Sequence, residues 1–393
     1  MPKNIASSDS HNERKAEKEA ALDGSPAIGR YDILDAEGAK ISGLDGNSTI
    51  HLKKLGKYKV STQSDLTPQL EQEKERAALI RNLLDSIHPG ATAPEGISFA
   101  GISFIGKDLE RVRFSKNNLK NCNLRNGQLR DSHWKNCDLT GVDLRKADLR
   151  DCILDGCNLN GADLRHANLE NARIIDCNLF AANFDHAVLD NGVMDHCEMG
   201  AQSFHNTSCK GLSFYSSPIL HGFFDHADLT GAELRNILFR NCTLSGTCFQ
   251  GATLDDCTFR DCDSFHEGPI FSGARLQQVV MMDCEFTESN MKATQFSHCQ
   301  WERVQMESSL LDGTSFNEMN FHEGALKNCY TLNQAPVFNH CRLDHITIDQ
   351  TDLTEAQFDH SLFAGATIRD SDFTDWQLID STLDDETTIE SME

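Results

Sequence analysis

The sequence predicts an all-β solenoid, and three observations carry that prediction. From Phe99 to Phe259 every fifth residue is large and apolar, with one lapse at Cys209. The residue two positions before each of these centres is usually small, as at Ala147 and Cys152. A period of five matches neither the 3.6-residue period of an α-helix nor the two-residue period of a β-strand. The pattern is therefore a short repeat that builds a regular array along one axis.

Each repeat has two inward positions out of five when it is written from i−2 to i+2 around its apolar centre i. One inward residue is small and the other is large, which allows a tight turn after each short extended piece. Four such pieces would make a square coil of about 20 residues, and stacked coils would pair their backbones at about 4.8 Å. Residues 147–151 (ADLRD) and 162–166 (ADLRH) are typical repeats.

This A-(D/N)-L-x-x pattern resembles the pentapeptide-repeat family. The resemblance implies a right-handed quadrilateral β-helix, which we expect over residues 97–383. Because one register is held over residues 97–259 without slipping, the resemblance is highly specific.

The repeat register breaks twice, near residues 260–271 and 327–338, and each break adds two residues. The two breaks resemble each other, since Cys262–Phe265 and Cys329–Leu332 each lead to a Pro-apolar-Phe triplet. Exposed loops on a rigid scaffold often carry function, whereas the alternative is a pair of tolerated insertions. The candidates for partner binding at these breaks are His266, Glu267, Asn333 and Gln334.

The remaining segments have a different character. Residues 1–30 are polar and predict a disordered segment. Residues 31–96 predict a small α+β region, in which a helix over 68–87 presents an apolar face that would cap the array. Residues 384–393 predict an acidic tail. The sequence contains no secretory signal and no run of apolar residues long enough for a transmembrane segment.

The negative charge of the chain is concentrated in residues 166–393. The whole sequence carries a formal charge of −24, and residues 166–393 hold 36 acidic against 11 basic side chains. Residues 107–165 instead carry a net charge of +3. The acidic excess argues against direct nucleic-acid binding by the last part and favours a basic partner or simple solubility.

Thirteen of the fifteen cysteines occupy the small inward position i−2, which predicts a structural role. Cys137, Cys157, Cys177 and Cys197 should form a ladder whose spacing is slightly long for disulfides. No Cys-x-x-Cys motif occurs, so we expect no metal and no other cofactor.

Two outward columns carry charged or titratable side chains. Arg125, Arg145 and Arg165 share one column and could meet an acidic or phosphate-rich partner. The alternative, which we favour, is that they pair with neighbouring carboxylates such as Asp143 and Asp163. His166 and His186 share another column, where exposed polar filling of an outward position is favoured over metal binding or pH sensing.

The sequence contains none of the common catalytic motifs, and a rod with a filled interior lacks the apolar pocket of an enzyme. We therefore expect a non-catalytic scaffold that binds a protein partner. The layout of the chain is similar to enterobacterial type III secreted effectors of the PipB and EspX kind. That similarity implies adaptor function in a host cell after export from the bacterial cytoplasm, with a secretion chaperone at the N-terminal region.

Two alternatives stay open at this point. The acidic excess and the two breaks also suit a DNA mimic similar to the quinolone-resistance pentapeptide proteins that protect DNA gyrase. A cytoplasmic repeat protein of unassigned role is the other alternative.

Overall fold

The chain divides into two units, residues 1–81 and 82–393. The computed structural model describes Ala78, Asn82 and residues 84–264 and 267–390. The predicted disordered segment 1–30 and nearly all of the predicted α+β region up to residue 81 lie outside the described residues. Among the residues that the structure describes, no helix is long and apolar enough to cross a membrane.

The predicted helix over 68–87 is described mainly at its end. Ala78 is helical, as are Asn82 and Leu84–Ser86. Leu84 and Ile87 are buried, and Lys107 Nζ donates a hydrogen bond to the carbonyl of Leu84 at 2.5 Å. The last helical turn therefore packs against the first coil of the array.

The five positions of each repeat have distinct conformations and environments. In the repeat Cys152–Gly156, Cys152 and Leu154 at i−2 and i are buried, whereas the other positions are half-buried. The residue at i+2 turns the chain and has a positive φ, for example +59° at Asp151 and +60° at His166. Because Gly, Asn, Asp and His tolerate this left-handed conformation best, they are common at i+2.

The Asn or Asp at i−1 stabilises the same turn from the other side. Its side-chain oxygen accepts the backbone N–H of residue i+1, at 3.1 Å between Asn123 and Arg125 and at 3.0 Å between Asp138 and Thr140. This local bond gives the turn a side-chain acceptor. It explains why the repeat carries Asp or Asn immediately before its apolar centre.

Four repeats make one coil, and equivalent repeats of successive coils form four faces, which we call A, B, C and D in chain order. All strand pairings are parallel. Face A is a 14-stranded sheet of Arg113–Ser115, His133–Lys135, Ile153–Asp155, Arg173–Ile175, Val193–Asp195, Ser213–Tyr215, Glu233–Arg235, Thr253–Asp255, Arg275–Gln277, Gln295–Ser297, Ser315–Asn317, Val337–Asn339, Gln357–Asp359 and Gln377–Ile379. Face B has ten strands, which are Met199–Gly200, Pro218–Leu220, Leu238–Arg240, Thr258–Arg260, Val280–Met282, Gln300–Glu302, Asn320–His322, Arg342–Asp344, Leu362–Ala364 and Thr382–Leu383.

Face C has seven strands, which are Asp263–Ser264, Glu285–Thr287, Gln305–Glu307, Ala325–Lys327, Thr347–Asp349, Thr367–Arg369 and Thr388–Glu390. Face D is held by isolated parallel bridges, such as Leu310 with Tyr330 and Asp352 with Asp372. The predicted all-β solenoid is therefore confirmed, with about 14 coils along face A.

The interior is filled by stacked side chains from successive coils. Phe184 stacks on Phe204 with ring centroids 4.8 Å apart, and Phe239 stacks on Phe259 at 4.7 Å. Both pairs are completely buried. A close-packed column of this kind leaves little room for an internal cavity.

At two corners of the solenoid the chain takes a longer path to the next coil. On face A, Leu234 pairs with Leu254, but Leu254 pairs with Leu276 and Phe316 with Phe338, so both of these later pairings span two extra residues. The first insertion lies between faces C and D, and we call residues 265–270 the first loop. The second lies between faces D and A, one corner further round, and residues 331–336 are the second loop.

Residues 384–390 extend the solenoid, whereas the sequence predicts an acidic tail from residue 384. Thr388–Glu390 pairs with Thr367–Arg369 on face C, one position later than the regular repeat would place it. One extra residue after Leu383 breaks the five-residue period, so the apolar Ile389 is no longer in step with the centres before it. The sequence pattern alone therefore ends the repeat too early.

Candidate protein-binding surfaces

The cysteines line the interior as small buried side chains. All fifteen are free, and all but Cys248 are buried. Cys157 Sγ donates to the carbonyl of Trp134 at 3.3 Å, which gives the thiol a backbone partner in the preceding coil. Burial raises the pKa of Cys122 and of Cys257 to about 12. Such thiols stay protonated near neutral pH and are poor nucleophiles and poor metal ligands.

The described residues offer little space or chemistry for a reaction. Within them, no group of three or more His, Cys, Asp or Glu side chains is arranged to hold a metal ion. A groove of about 240 Å³ at the corner of faces A and B is lined by Pro218, Ile237, Leu238 and four polar residues. Its volume lies below that of ordinary small-molecule sites, and it is open to solvent.

Two of the three candidate arginines bind carboxylates of their own repeat. Arg145 makes two hydrogen bonds to Asp143 at 2.9 and 2.7 Å, and Arg165 makes the same pair of bonds to Asp163. These bonds raise the pKa of both guanidinium groups. Arg145 and Arg165 therefore pair with neighbouring carboxylates, which is the alternative that the sequence favours.

Arg125, the third candidate in this column, differs because Asn123 replaces the Asp found at i−1 in the next two coils. Asn123 accepts the backbone N–H of Arg125, and the guanidinium forms no ion pair with any residue that the structure describes. Among these three arginines, Arg125 is thus the one whose charge faces solvent without a carboxylate partner.

The histidine column of face C continues over several coils. The rings of His166 and His186 stack with centroids 4.9 Å apart, and His205 lies edge-on to His226 at 5.7 Å. His166, His186 and His226 all have positive φ, which His tolerates better than most residues. Their recurrence at i+2 therefore has a backbone reason that the sequence analysis did not identify.

The first loop is fastened at its C-terminal half. The N–H of Gly246 donates to the carbonyl of Glu267 at 2.7 Å, and the Glu267 carboxylate lies 3.8 Å from His226. Gly268 is required here, since an added Cβ would lie 2.3 Å from the carbonyl oxygen of Thr287. Candidate Glu267 is exposed, and candidate His266 lies outside the described residues.

The second loop has an equivalent fastening, because the N–H of Gly313 donates to the carbonyl of Gln334 at 2.7 Å. It has a further anchor in Asp312, whose side chain is only 3% exposed. Asp312 Oδ1 accepts the backbone N–H groups of Leu332 at 3.2 Å, Asn333 at 2.6 Å and Gln334 at 2.8 Å.

The charge of Asp312 is stabilised by its surroundings. The N–H groups of Asn333 and Gln334 contribute most to lowering the pKa of Asp312 to about 2. Lys292 Nζ adds a positive charge 3.4 Å from Oδ2. The candidates Asn333 and Gln334 are therefore exposed side chains on a backbone that a buried carboxylate holds in place.

Large apolar side chains at outward positions form groups on two opposite faces, B and D, and none of them was among the predicted site residues. Single exposed apolar residues also occur on the other faces, such as Phe223 on face C and Ile379 on face A. On face D, Leu332 is 66% exposed and Tyr330 is 41% exposed, beside the half-buried Leu310. We call these three residues the face D cluster. The sequence carried only a weak signal for Leu332, because it lies in the second register break, where the five-residue period does not show which residues point outward.

Face B carries a second group, which we call the face B cluster and which consists of Phe180, Pro218, Leu220 and Leu238. Phe180 is 50% exposed and Leu220 is 39% exposed. The ring of Phe180 lies over Gly200 in the next coil, where an added Cβ would be 2.9 Å from two ring carbons. The cluster therefore extends over adjacent coils of one face.

Family models support the repeat assignment. A model described as "Pentapeptide repeat region" matches residues 127–198, and one described as "Pentapeptide repeats (8 copies)" matches residues 95–131 and 224–261. A search of curated proteins finds no match to the chain.

Solved structures that are similar to this chain include pentapeptide-repeat proteins. HetL, involved in heterocyst differentiation regulation in the cyanobacterium Nostoc sp. strain PCC 7120, is 19% identical, with 66% of this chain and 87% of that chain covered and a TM-score of 0.28. QnrB1, a plasmid-mediated fluoroquinolone resistance protein, is 17% identical. The match covers 50% of this chain and 83% of that chain, with a TM-score of 0.26.

Proposed function

The chain is a pentapeptide-repeat protein, and we propose that it acts as a non-catalytic scaffold that binds other proteins. The observation that carries this proposal is the presence of large exposed apolar side chains on faces B and D of a rod with a filled interior. The repeat requires apolar residues only at its inward positions, so the fold does not explain Phe180 or Leu332 at outward ones. Apolar clusters held on a rigid surface are typical of protein-binding sites.

Site-specific photo-crosslinking tests the proposal with the full chain. A photoreactive phenylalanine is placed at residue 180, at residue 332, or at the control position Asn160 in the same column as Phe180. We expect one dominant protein from extracts of the producing cell or its host at residue 180 or 332, and much less at residue 160. The purified partner should then bind the chain stoichiometrically by calorimetry and keep its intact mass. Equal crosslinking at all three positions, or a covalently changed partner, would contradict a binding scaffold.

The setting that we propose for this binding is a host cell that the protein enters through a type III secretion apparatus. The support is the layout of the chain, in which a polar N-terminal segment and a region without the repeat, up to residue 96, precede a long rod. Residues 1–30 fused to a reporter should be sufficient for translocation. A reporter that stays in the bacterium would remove this setting and leave the binding function standing.

The second candidate function is binding to DNA gyrase as a DNA mimic. It is favoured by the charge of −25 over residues 166–393. The purified protein should then alter supercoiling by gyrase at low salt, and the effect should weaken as salt screens the carboxylates. Supercoiling that is unchanged at a large excess of the protein would rule this candidate out.

A further inference from the structure

The lower part of face D combines an apolar cluster with uncompensated negative charge. In the i−1 column of this face, Leu310 and Tyr330 are followed by Asp352 and Asp372 in the next two coils. Glu355 and Asp375 follow at the i+2 position of the same coils. None of these four carboxylates forms an ion pair with a residue in the described part of the chain.

From this arrangement, and resting on the proposed protein-binding function, we propose that face D docks an extended partner segment that carries an apolar side chain followed by Lys or Arg. The apolar side chain would pack on Leu332 and Tyr330. The cations would lie over Asp352 and Asp372, which otherwise lack a positive partner.

The spacing of the two features sets the sequence of that segment. Successive coils are about 4.8 Å apart, so Asp352 and Asp372 lie about 5 and 10 Å beyond Tyr330 along the rod. An extended chain advances about 3.3 Å per residue. Side chains that point to the same face of an extended chain are two residues apart, so the basic residues should follow the apolar residue by two and four positions.

The second loop is built to present Leu332 in one position. Asp312 accepts three successive backbone N–H groups from Leu332 to Gln334, and its own side chain is buried. A loop that is ordered before binding loses less conformational entropy when a partner docks. The first loop has Ser245 at the position equivalent to Asp312. Aspartates elsewhere accept a single N–H from the next coil, as Asp225 does from Ser245, but among the described residues Asp312 is the one that accepts three successive N–H groups.

Other occupants fit these features less well. Nucleic acid and anionic membranes would be repelled by four unpaired carboxylates. A second copy of this chain would have to offer its basic stretch, residues 107–165. Arg145 and Arg165 there already bind their own aspartates, and the unpaired Arg125 has no exposed large apolar side chain in the same stretch to accompany it. A basic and apolar segment of a different protein is the occupant that the charges favour.

Fluorescence anisotropy with a synthetic peptide tests the inference. The probe is a labelled ten-residue peptide in which Leu is followed two and four positions later by Lys, with Ser and Thr elsewhere. We expect Leu332→Ser to weaken its binding at least tenfold. The double change Asp352→Asn with Asp372→Asn should weaken it similarly at low salt and have little effect at high salt.

Matched variants separate this site from general effects. Leu220→Ser removes an exposed leucine from face B, and Asp255→Asn with Asp256→Asn removes the same charge from one repeat of face A. Both should change the peptide affinity less than twofold. Equal losses in test and control variants, or equal binding of a peptide in which Ser replaces its Leu, would overturn the inference. Tyr330→Ser provides a second test if Leu332→Ser changes the circular dichroism spectrum.

The same variants distinguish this inference from the proposed function. A purified partner that binds the chain but ignores Leu332→Ser and Tyr330→Ser would overturn the inference and keep the scaffold. A dimer of the wild-type chain that Leu332→Ser dissociates, detected by light scattering, would make a second copy the occupant and also overturn it.

Discussion

The buried carboxylate of Asp312 should hold the second loop in place, and the size of its contribution follows from the pKa. The pKa of Asp312 falls from its ordinary value of 3.8 to about 2 in the folded chain. One pKa unit corresponds to about 1.4 kcal/mol, so the charged form stabilises the folded loop by about 2 kcal/mol more than the neutral form does. Because the folded pKa is the lower one, this stability is present above about pH 4 and is lost as the pH falls towards 2.

Asp312→Asn tests this reasoning, since asparagine has nearly the shape of the neutral acid. At pH 7 we expect the amides of Leu332, Asn333 and Gln334 to lose up to about 60-fold of their protection from hydrogen exchange, which is the equivalent of about 2 kcal/mol. Protection in the wild-type chain, corrected for the intrinsic rate, should fall in the same way between pH 4 and 2. Hydrogen exchange suits a repeat array better than global unfolding, which need not be two-state.

A second aspartate provides the control for this experiment. Asp372 also accepts a backbone N–H, from Thr374 at 2.8 Å, but its side chain is exposed. Asp372→Asn should leave the protection of the second loop unchanged. If Asp312→Asn also leaves it unchanged at pH 7, the loop does not depend on the carboxylate and the reasoning is wrong.

Three further predictions concern the interior and the first loop. Gln202 is fully buried and both polar atoms of its side chain lack a hydrogen-bond partner among the described residues, so Gln202→Met should stabilise the surrounding coils by about 1 kcal/mol, measured as slower hydrogen exchange of their amides. Gly268→Ala should destabilise the chain by about 3 kcal/mol because the new Cβ meets backbone atoms, whereas Gly251→Ala, with open space and a φ of +63°, should lose about 1 kcal/mol. Native protein should expose one rapidly reacting thiol, Cys248, to a thiol reagent, and all fifteen should react after denaturation; several fast thiols in the native protein would contradict the buried ladder.

The fold was predictable because it depends on a local and repeated pattern. Each five-residue unit contains its own turn, its own inward pair and, at i−1, its own acceptor for the turn, as Asn123 provides for Arg125. The sequence therefore predicts the solenoid and the interior position of the cysteines. The last strand, Thr388–Glu390, escaped prediction because one inserted residue is enough to remove it from the five-residue pattern.

The surfaces were less predictable because they depend on pairings between different coils. Nothing in the sequence near residue 312 shows that its carboxylate turns inward to bind amides of the next coil, from Leu332 to Gln334. The charge of Arg145 could be weighed in advance, since its partner Asp143 belongs to the same repeat. Leu332 carried a signal as an outward apolar residue, but the register break at residues 327–338 obscured which position it occupies.

The two loops share one type of backbone hydrogen bond, and the second loop has an additional side-chain anchor on face D. Both are fastened by the N–H of a glycine with positive φ, Gly246 or Gly313, bound to a carbonyl of the loop in the next coil. In the described part of the two loops, the second alone is anchored by a buried aspartate and presents an exposed leucine above unpaired carboxylates. If ordering of the loop serves binding, Asp312→Asn should weaken the Leu-Lys peptide although Asp312 is too buried to touch it. The loss cannot exceed the factor of about 60 by which the loop is destabilised, since disorder lowers affinity only by the fraction of competent molecules. An unchanged affinity, together with faster hydrogen exchange, would mean that the partner orders the loop itself and that the anchor serves the fold alone.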